Sequence, residues 1–339
     1  MKIQTRFTEM MGCDMPIIVA PMFLVSDVGM TVAGSEAGGV GAFPALNARP
    51  VEKLREWLQA VKKQTDKPYA VNLIVNRTNI YFPKQMEICL EEKVPMIIAS
   101  LGDPSELIKK ADEVGTKVFC DVIRKEHAQK AVNAGAHGLI AVCGGAGGHG
   151  GAISSMVWVP FLKKHFDVPI LAAGNITDGR GLAAMLALGA DGASIGTRFI
   201  ASKECPVVQN YKDAIVESEP HDIVTTYKLD GVPANVINTK YVQKKGTQLN
   251  VFEKLLFKSR KLRPMMMAYR TMRSIKPLTE AAKKPTWKEL WGAGQGVGLI
   301  DEVDSIEGIM EKFAAEYAET IANMPNVGAA ETEDVLSAA

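Results

Sequence analysis

The sequence predicts an α/β fold, a (β/α)8 barrel of the TIM type carrying an inserted, mostly helical cap. Three observations point there. Eight short apolar runs, each followed by a helical pattern, fill roughly the first 220 residues. The runs are continuous in Val, Ile and Ala rather than alternating, as suits parallel strands buried on both faces. The length, 339 residues, accommodates a barrel of about 250 residues plus an insertion. Eight units in a row favour closure into a barrel, with a doubly wound open sheet as the alternative.

Taken in order, the expected strands are Pro16–Ala20, Val40–Phe43, Tyr69–Val75, Met96–Ser100, Lys117–Val122, Gly138–Cys143, Pro169–Ala173 and Gly192–Ile195. The helical patterns that follow them lie around Asp27–Ala37, Val51–Lys63, Lys84–Glu92, Pro104–Val114, Lys125–Ala134, Met156–His165, Gly179–Leu188 and Val207–Glu217. The chain therefore divides into a ligand-binding barrel at 1–218 and a cap over its mouth at 219–290. A return segment with a helix follows at 291–325, then a frayed Ala/Glu-rich tail at 326–339. Within the cap, Val251–Arg273 is basic and Met-rich and reads as a solvated helix with a buried methionine side. A patch for an anionic cosubstrate is the sharper reading of the same stretch.

Composition narrows the function. With a net charge of +1 the chain has no field that favours nucleic acid or an anionic membrane, so a small-molecule substrate is expected. A homodimer is left open. The five cysteines are scattered and never form a CxxC pair. They suit neither a disulfide framework nor a metal site, and fit a reducing cytoplasm. No stretch of about 20 apolar residues is present, and the first residues lack the apolar run of a signal peptide.

Four constellations carry chemistry. The loops after strands seven and eight hold Ala173-Gly174-Asn175 and Gly196-Thr197. In barrels these two loops commonly cradle a phosphate, because glycine lets backbone N–H groups approach an anion. Taken singly, each glycine could simply make a tight turn. The loop after strand six, Cys143 to Ser154, surrounds His149 with six glycines, including Gly147 and Gly148. So much glycine costs conformational entropy, which a flat aromatic ligand lying on the backbone would justify. His149 would then stand beside that ligand with a pKa suited to general acid–base work. The other four histidines read as surface or capping residues. At the end of strand one, Ala20-Pro21-Met22 turns into the barrel mouth, where Met22 could pack on a ring face. Asn72, inside the apolar run of strand three, needs a partner, either a ligand edge or a neighbouring strand.

These segments resemble a known family. PIIVAPM, EAGGVGAF, AVNLIV, AGGHGG, PILAAGNITDGRGLAAMLALGADGASIGTRF and WGAGQGVGLI look like the nitronate monooxygenase (2-nitropropane dioxygenase) family. The resemblance runs from about residue 5 to residue 320. It implies a barrel that holds FMN non-covalently and oxidises alkyl nitronates with O2. The Pro169–Phe199 stretch also resembles FMN-type enoyl-ACP reductases and NAD(P)H:quinone reductases, which implies NAD(P)H as an alternative electron donor. By resemblance, Ala20, Pro21 and Met22 lie along the flavin, and Asn72 lies near its polar edge. Gly147 and Gly148 belong to the AGGH backbone. Ala173, Gly174, Asn175, Gly196 and Thr197 form the phosphate loops. Gln295 approaches from the return segment, and His149 is catalytic. The chain departs from the family pattern at Cys143-Gly144-Gly145, at Asp121 and at Asn175.

Overall fold

The computed structural model describes residues 1–76, 79–229, 231–250 and 289–325. Its strands are β1 (Ile17–Val19), β2 (Val40–Pro44), β3 (Tyr69–Ile74), β4 (Met96–Ser100), β5 (Lys117–Val122), β6 (Gly138–Val142), β7 (Gly148–His149), β8 (Ile170–Ala173) and β9 (Gly192–Ile195). All but β7 pair in parallel in the closed order β1-β2-β3-β4-β5-β6-β8-β9. Closure is made where β1 meets β9, with Val19 opposite Ile195. Almost every residue of these short strands is buried, which is why their sequences read as unbroken apolar runs.

Two apolar layers hold the barrel. Its interior is filled by Phe7, Ile18, Val40, Met96, Phe119, Ile140, Leu171 and their neighbours. The larger outer layer lies between the strands and the surrounding helices. Phe7 comes from a helix, Arg6–Met11, that the apolar periodicity did not predict. That helix is short and is fixed by a local signal, a reciprocal cap between Thr5 and Thr8. It closes the N-terminal end of the barrel, and Phe7 meets Phe119 edge-to-face at 5.7 Å. Arg6 anchors it through Asp191, the residue before β9, at 2.9 Å. The other end of the barrel is thereby left for a site.

The expected cap begins as sheet rather than helix. After a single turn at Pro220–Asp222, β10 (Ile223–Thr226) and β11 (Ala234–Ile237) form an antiparallel hairpin. β11 also pairs with β7, placing Ala234 opposite His149 and Asn235 opposite Gly148. In the described part of this region the only regular helix is Lys240–Lys245. Among the described residues 219–250 the region is part sheet and part helix, its Val/Thr/Ile-rich strands adding to the glycine loop. The basic Val251–Arg273 stretch and the 326–339 tail lie outside the described residues. The chain returns through the 3-10 turn Gln295–Leu299 to the helix Ile306–Ala322. That helix seats on Gly179–Ala187 so closely that a Cβ at Gly179 would stand 2.3 Å from the Tyr317 nitrogen.

Candidate active site

The strand C-terminal ends open on a cavity of about 400 Å³. That is the size and the place expected of a small-ligand site in a barrel. Ala20, Pro21 and Met22 line it from β1, and Gly147, Gly148 and His149 from the loop after β6. Ala173, Gly174 and Asn175 line it from β8, and Gly196 and Thr197 from β9. Eleven of the thirteen residues singled out from the sequence thus share one wall system. No lysine or arginine among the described residues lines the cavity, so an anion there would rest on dipoles.

The two exceptions have physical reasons. Asn72 is buried, and its Nδ2 donates to the Ile98 carbonyl at 3.0 Å and to the Ser100 hydroxyl at 2.7 Å. Its partner is the neighbouring strand β4, and it does not line the cavity. Gln295 is exposed, and its backbone N–H donates to the Gly145 carbonyl at 3.0 Å. Its neighbours Gly294 and Gly296 line the cavity while Gln295 does not.

The loops are held in place by bonds between them. Asn175 takes a left-handed φ of 60°, which asparagine tolerates, and its Nδ2 donates to the Gly144 carbonyl at 2.8 Å. Its amide is therefore a clamp between two loops. Gly174 has φ 112°, and a Cβ there would lie 2.9 Å from the Ala146 Cβ. The close approach it permits is thus to the glycine loop as well as to any ligand. Thr197 Oγ1 accepts from the Gly294 N–H at 3.0 Å, which leaves its own proton for another acceptor. From β11, Asn235 Nδ2 donates to the Ala146 carbonyl at 2.8 Å. Gly148, at φ 66°, would set a Cβ into open space, so that its bare backbone faces the cavity.

Periodicity and motif spacing did not expose four residues here. Thr177 lines the cavity, and its buried hydroxyl has no hydrogen-bond partner. Such a group costs about 1–3 kcal/mol unless a ligand satisfies it. Tyr211 donates its hydroxyl to the Gly292 carbonyl at 2.6 Å and stacks on Trp291 at 5.3 Å, fixing the return segment. Burial pushes that phenol up, so it stays protonated. Asn235, described above, holds the loop from below. Asp121, the charged residue in the apolar run of β5, lines the floor and accepts a short hydrogen bond from the Ser100 hydroxyl. Burial raises its carboxyl to about 6, and the Ser100 bond opposes the shift. Cys143, beside the glycine loop, is no nucleophile. Burial pushes its thiol up to about 12, and its Sγ donates to the Ala141 carbonyl at 3.1 Å.

Comparison with known proteins agrees with this geometry. Residues 76–316 match the nitronate monooxygenase family model. A probable nitronate monooxygenase of Staphylococcus saprophyticus is 30% identical over 72% of this chain and 81% of its own length. From Mycobacterium tuberculosis, (3aS,4S,5R,7aS)-5-hydroxy-7a-methyl-1-oxo-octahydro-1H-indene-4-carboxyl-CoA dehydrogenase is 28% identical over 93% of this chain and 96% of its own. FabK from Thermotoga maritima superposes with a TM-score of 0.83 at 32% identity, covering 95% of this chain and 98% of that one. A closed parallel barrel with this mouth, matched by that family model over most of its length, identifies an oxidoreductase, and the chain belongs to the nitronate monooxygenase family.

Proposed function

We propose that the cavity holds FMN and that the enzyme oxidises alkyl nitronates, or the nitroalkanes they come from, with O2. The observation that carries this is the assembly of Gly174, Asn175, Gly196, Thr197 and the partnerless Thr177 hydroxyl around one cavity, beside the glycine loop of His149. The residues present fit a mononucleotide. Backbone amides of the two turns, with the Thr177 and Thr197 hydroxyls, suit a terminal phosphate where no fixed cation lines the described wall. The bare backbone of Gly147 and Gly148 suits a flat ring, and Met22 suits its face.

Bound there, FMN supplies the electron-accepting chemistry, and the protein supplies position and electrostatics. His149 stands at the mouth, on the short strand β7 that β11 holds in register. Its imidazole hydrogen-bonds the anionic nitro oxygens of a nitronate. With a neutral nitroalkane it takes the proton from the carbon next to the nitro group. Asn235 and Asn175 keep the loop that carries it from drifting. The β10–β11 hairpin contributes Val236 to the wall and shields the reacting end from water.

The test is anaerobic mixing of the flavin-loaded protein with the nitronate of nitroethane. Loss of the oxidised flavin spectrum within the mixing experiment, and its return on admitting O2, is expected. An unchanged spectrum excludes the reading. A second reading, a dehydrogenase or reductase acting on a thioester with NAD(P)H, is favoured by the relative whose name specifies a carboxyl-CoA. Rapid bleaching by NADH or NADPH with no response to nitronate selects it.

A further inference from the structure

The floor of the cavity holds one feature that the nitronate reading leaves unused. Asp121 lies at the end of β5 between apolar neighbours, with Ile98 of β4 and Ile140 and Val142 of β6 lining the same floor. It is fixed from behind. Asn72 donates to Ser100 and to the Ile98 carbonyl, and Ser100 donates to Asp121 Oδ2. Two side chains on the two preceding strands thus aim the Asp121 carboxyl, and the Nδ2 of one of them, Asn72, is committed to the strand beside it. A polar chain of this length inside a barrel is expensive unless it is satisfied and used.

We propose that Asp121 tunes the electron affinity of the flavin bound above it, by opposing negative charge on the ring. This rests on the reading that the cavity holds FMN. Two-electron reduction with uptake of one proton leaves one negative charge on the ring; with two protons it leaves none. An ionised carboxylate in the same apolar floor disfavours the first outcome, so it lowers the potential and favours uptake of the second proton. A ring held at lower potential passes its electrons to O2 more readily, in keeping with an enzyme that uses oxygen.

The charge is switchable near neutrality, because burial has moved the carboxyl to about 6. Few other groups compete with it. The flanking strands β4 (MIIAS) and β6 (GLIAV) carry no acid or base. The other ionisable groups of the described cavity wall are His149 and Tyr211, and Tyr211 stays protonated. Cys143 follows β6, and its thiol is held up near 12.

The experiment measures the midpoint potential of the FMN-loaded protein against a reference dye at pH 5 and pH 8, for the native chain and for Asp121→Asn. At pH 8 the variant should favour the reduced ring by tenfold or more, which is ~30 mV or more for a two-electron couple. At pH 5, where the native carboxyl is protonated, the two should agree within about twofold. Agreement at both values overturns the inference. Should Asp121→Asn fail to load flavin, Ser100→Ala decides. It keeps the carboxyl and removes the bond that lowers its pKa, so the break in its potential–pH curve should move to higher pH. A curve superimposable on the native one overturns the inference. A protein that takes up no FMN at all defeats the functional reading first, and an FMN protein inert to nitronate leaves the Asp121 measurement intact.

Discussion

At the scale of single residues, the proposed function gives His149 the chemistry and Thr177 a share of the binding. His149 is exposed at the mouth, so it can meet a substrate, and its backbone is pinned by strand pairing to Ala234. His149→Gln should lower kcat/KM for neutral nitroethane by about 10²–10⁴-fold, the usual worth of a positioned general base. With preformed nitronate, which has no proton to lose, the decrease should be much smaller. Steady-state oxygen consumption with both substrates measures the contrast, and equal losses would show that the imidazole does not act as a base. His149 stood out in the sequence as the single histidine among six glycines, and the structure sets it on the cavity wall. Asn72 was legible only as a polar group needing a partner. Nothing in the sequence says that the Ile98 carbonyl and the Ser100 hydroxyl are nearer than any ligand.

At the scale of elements, the loops after β6 and β8 act as one unit. Gly174 is the joint. Its φ is 112°, and a Cβ placed on it would come within 2.9 Å of the Ala146 Cβ, which leaves no room for alanine. Gly174→Ala should destabilise the chain by of order 1–3 kcal/mol through backbone strain. It should weaken FMN more than it weakens the fold, because the strain sits in the cradle and not in either apolar layer. Urea unfolding of the apoprotein beside an FMN titration tests this; a loss of stability with unchanged FMN affinity would separate the loop from the cofactor. The barrel strands were readable because burial on both faces writes a continuous apolar run. The hairpin β10–β11 was not, since its two strands are four residues each, and they gain their meaning from each other and from the pairing of β11 with Gly148 and His149. The helix Arg6–Met11 escaped for a similar reason: six residues are too few for a period, and a Thr5–Thr8 cap is a signal of local bonds.

At the scale of the whole molecule, the barrel spends some stability on its floor. The Asp121 carboxyl sits at about 6 in the folded chain against 3.8 for the free side chain. The folded state therefore holds a proton that the unfolded state releases, and stability declines as pH rises from about 4 through 6. Asp121→Asn should accordingly stabilise the apoprotein by roughly 2–3 kcal/mol at pH 8 and by nothing near pH 3. Thermal melts of both proteins across that range decide the matter, and a gain independent of pH would assign the effect to packing instead. The glycine turns at consecutive strand ends were readable because they are a local signature, and the structure brings them to one cavity. It did not show the charge of the floor, because Asp121, Ser100 and Asn72 meet only when β3, β4 and β5 lie side by side.

The central claim is that two glycine turns on β8 and β9, with the Thr177 hydroxyl, grip the phosphate of FMN. Equilibrium titration of the apoprotein with FMN and with riboflavin, which shares the ring and lacks the phosphate, tests it directly. FMN should bind at least ~100-fold more tightly, a difference of about 2.7 kcal/mol. Equal affinity for the two would contradict it.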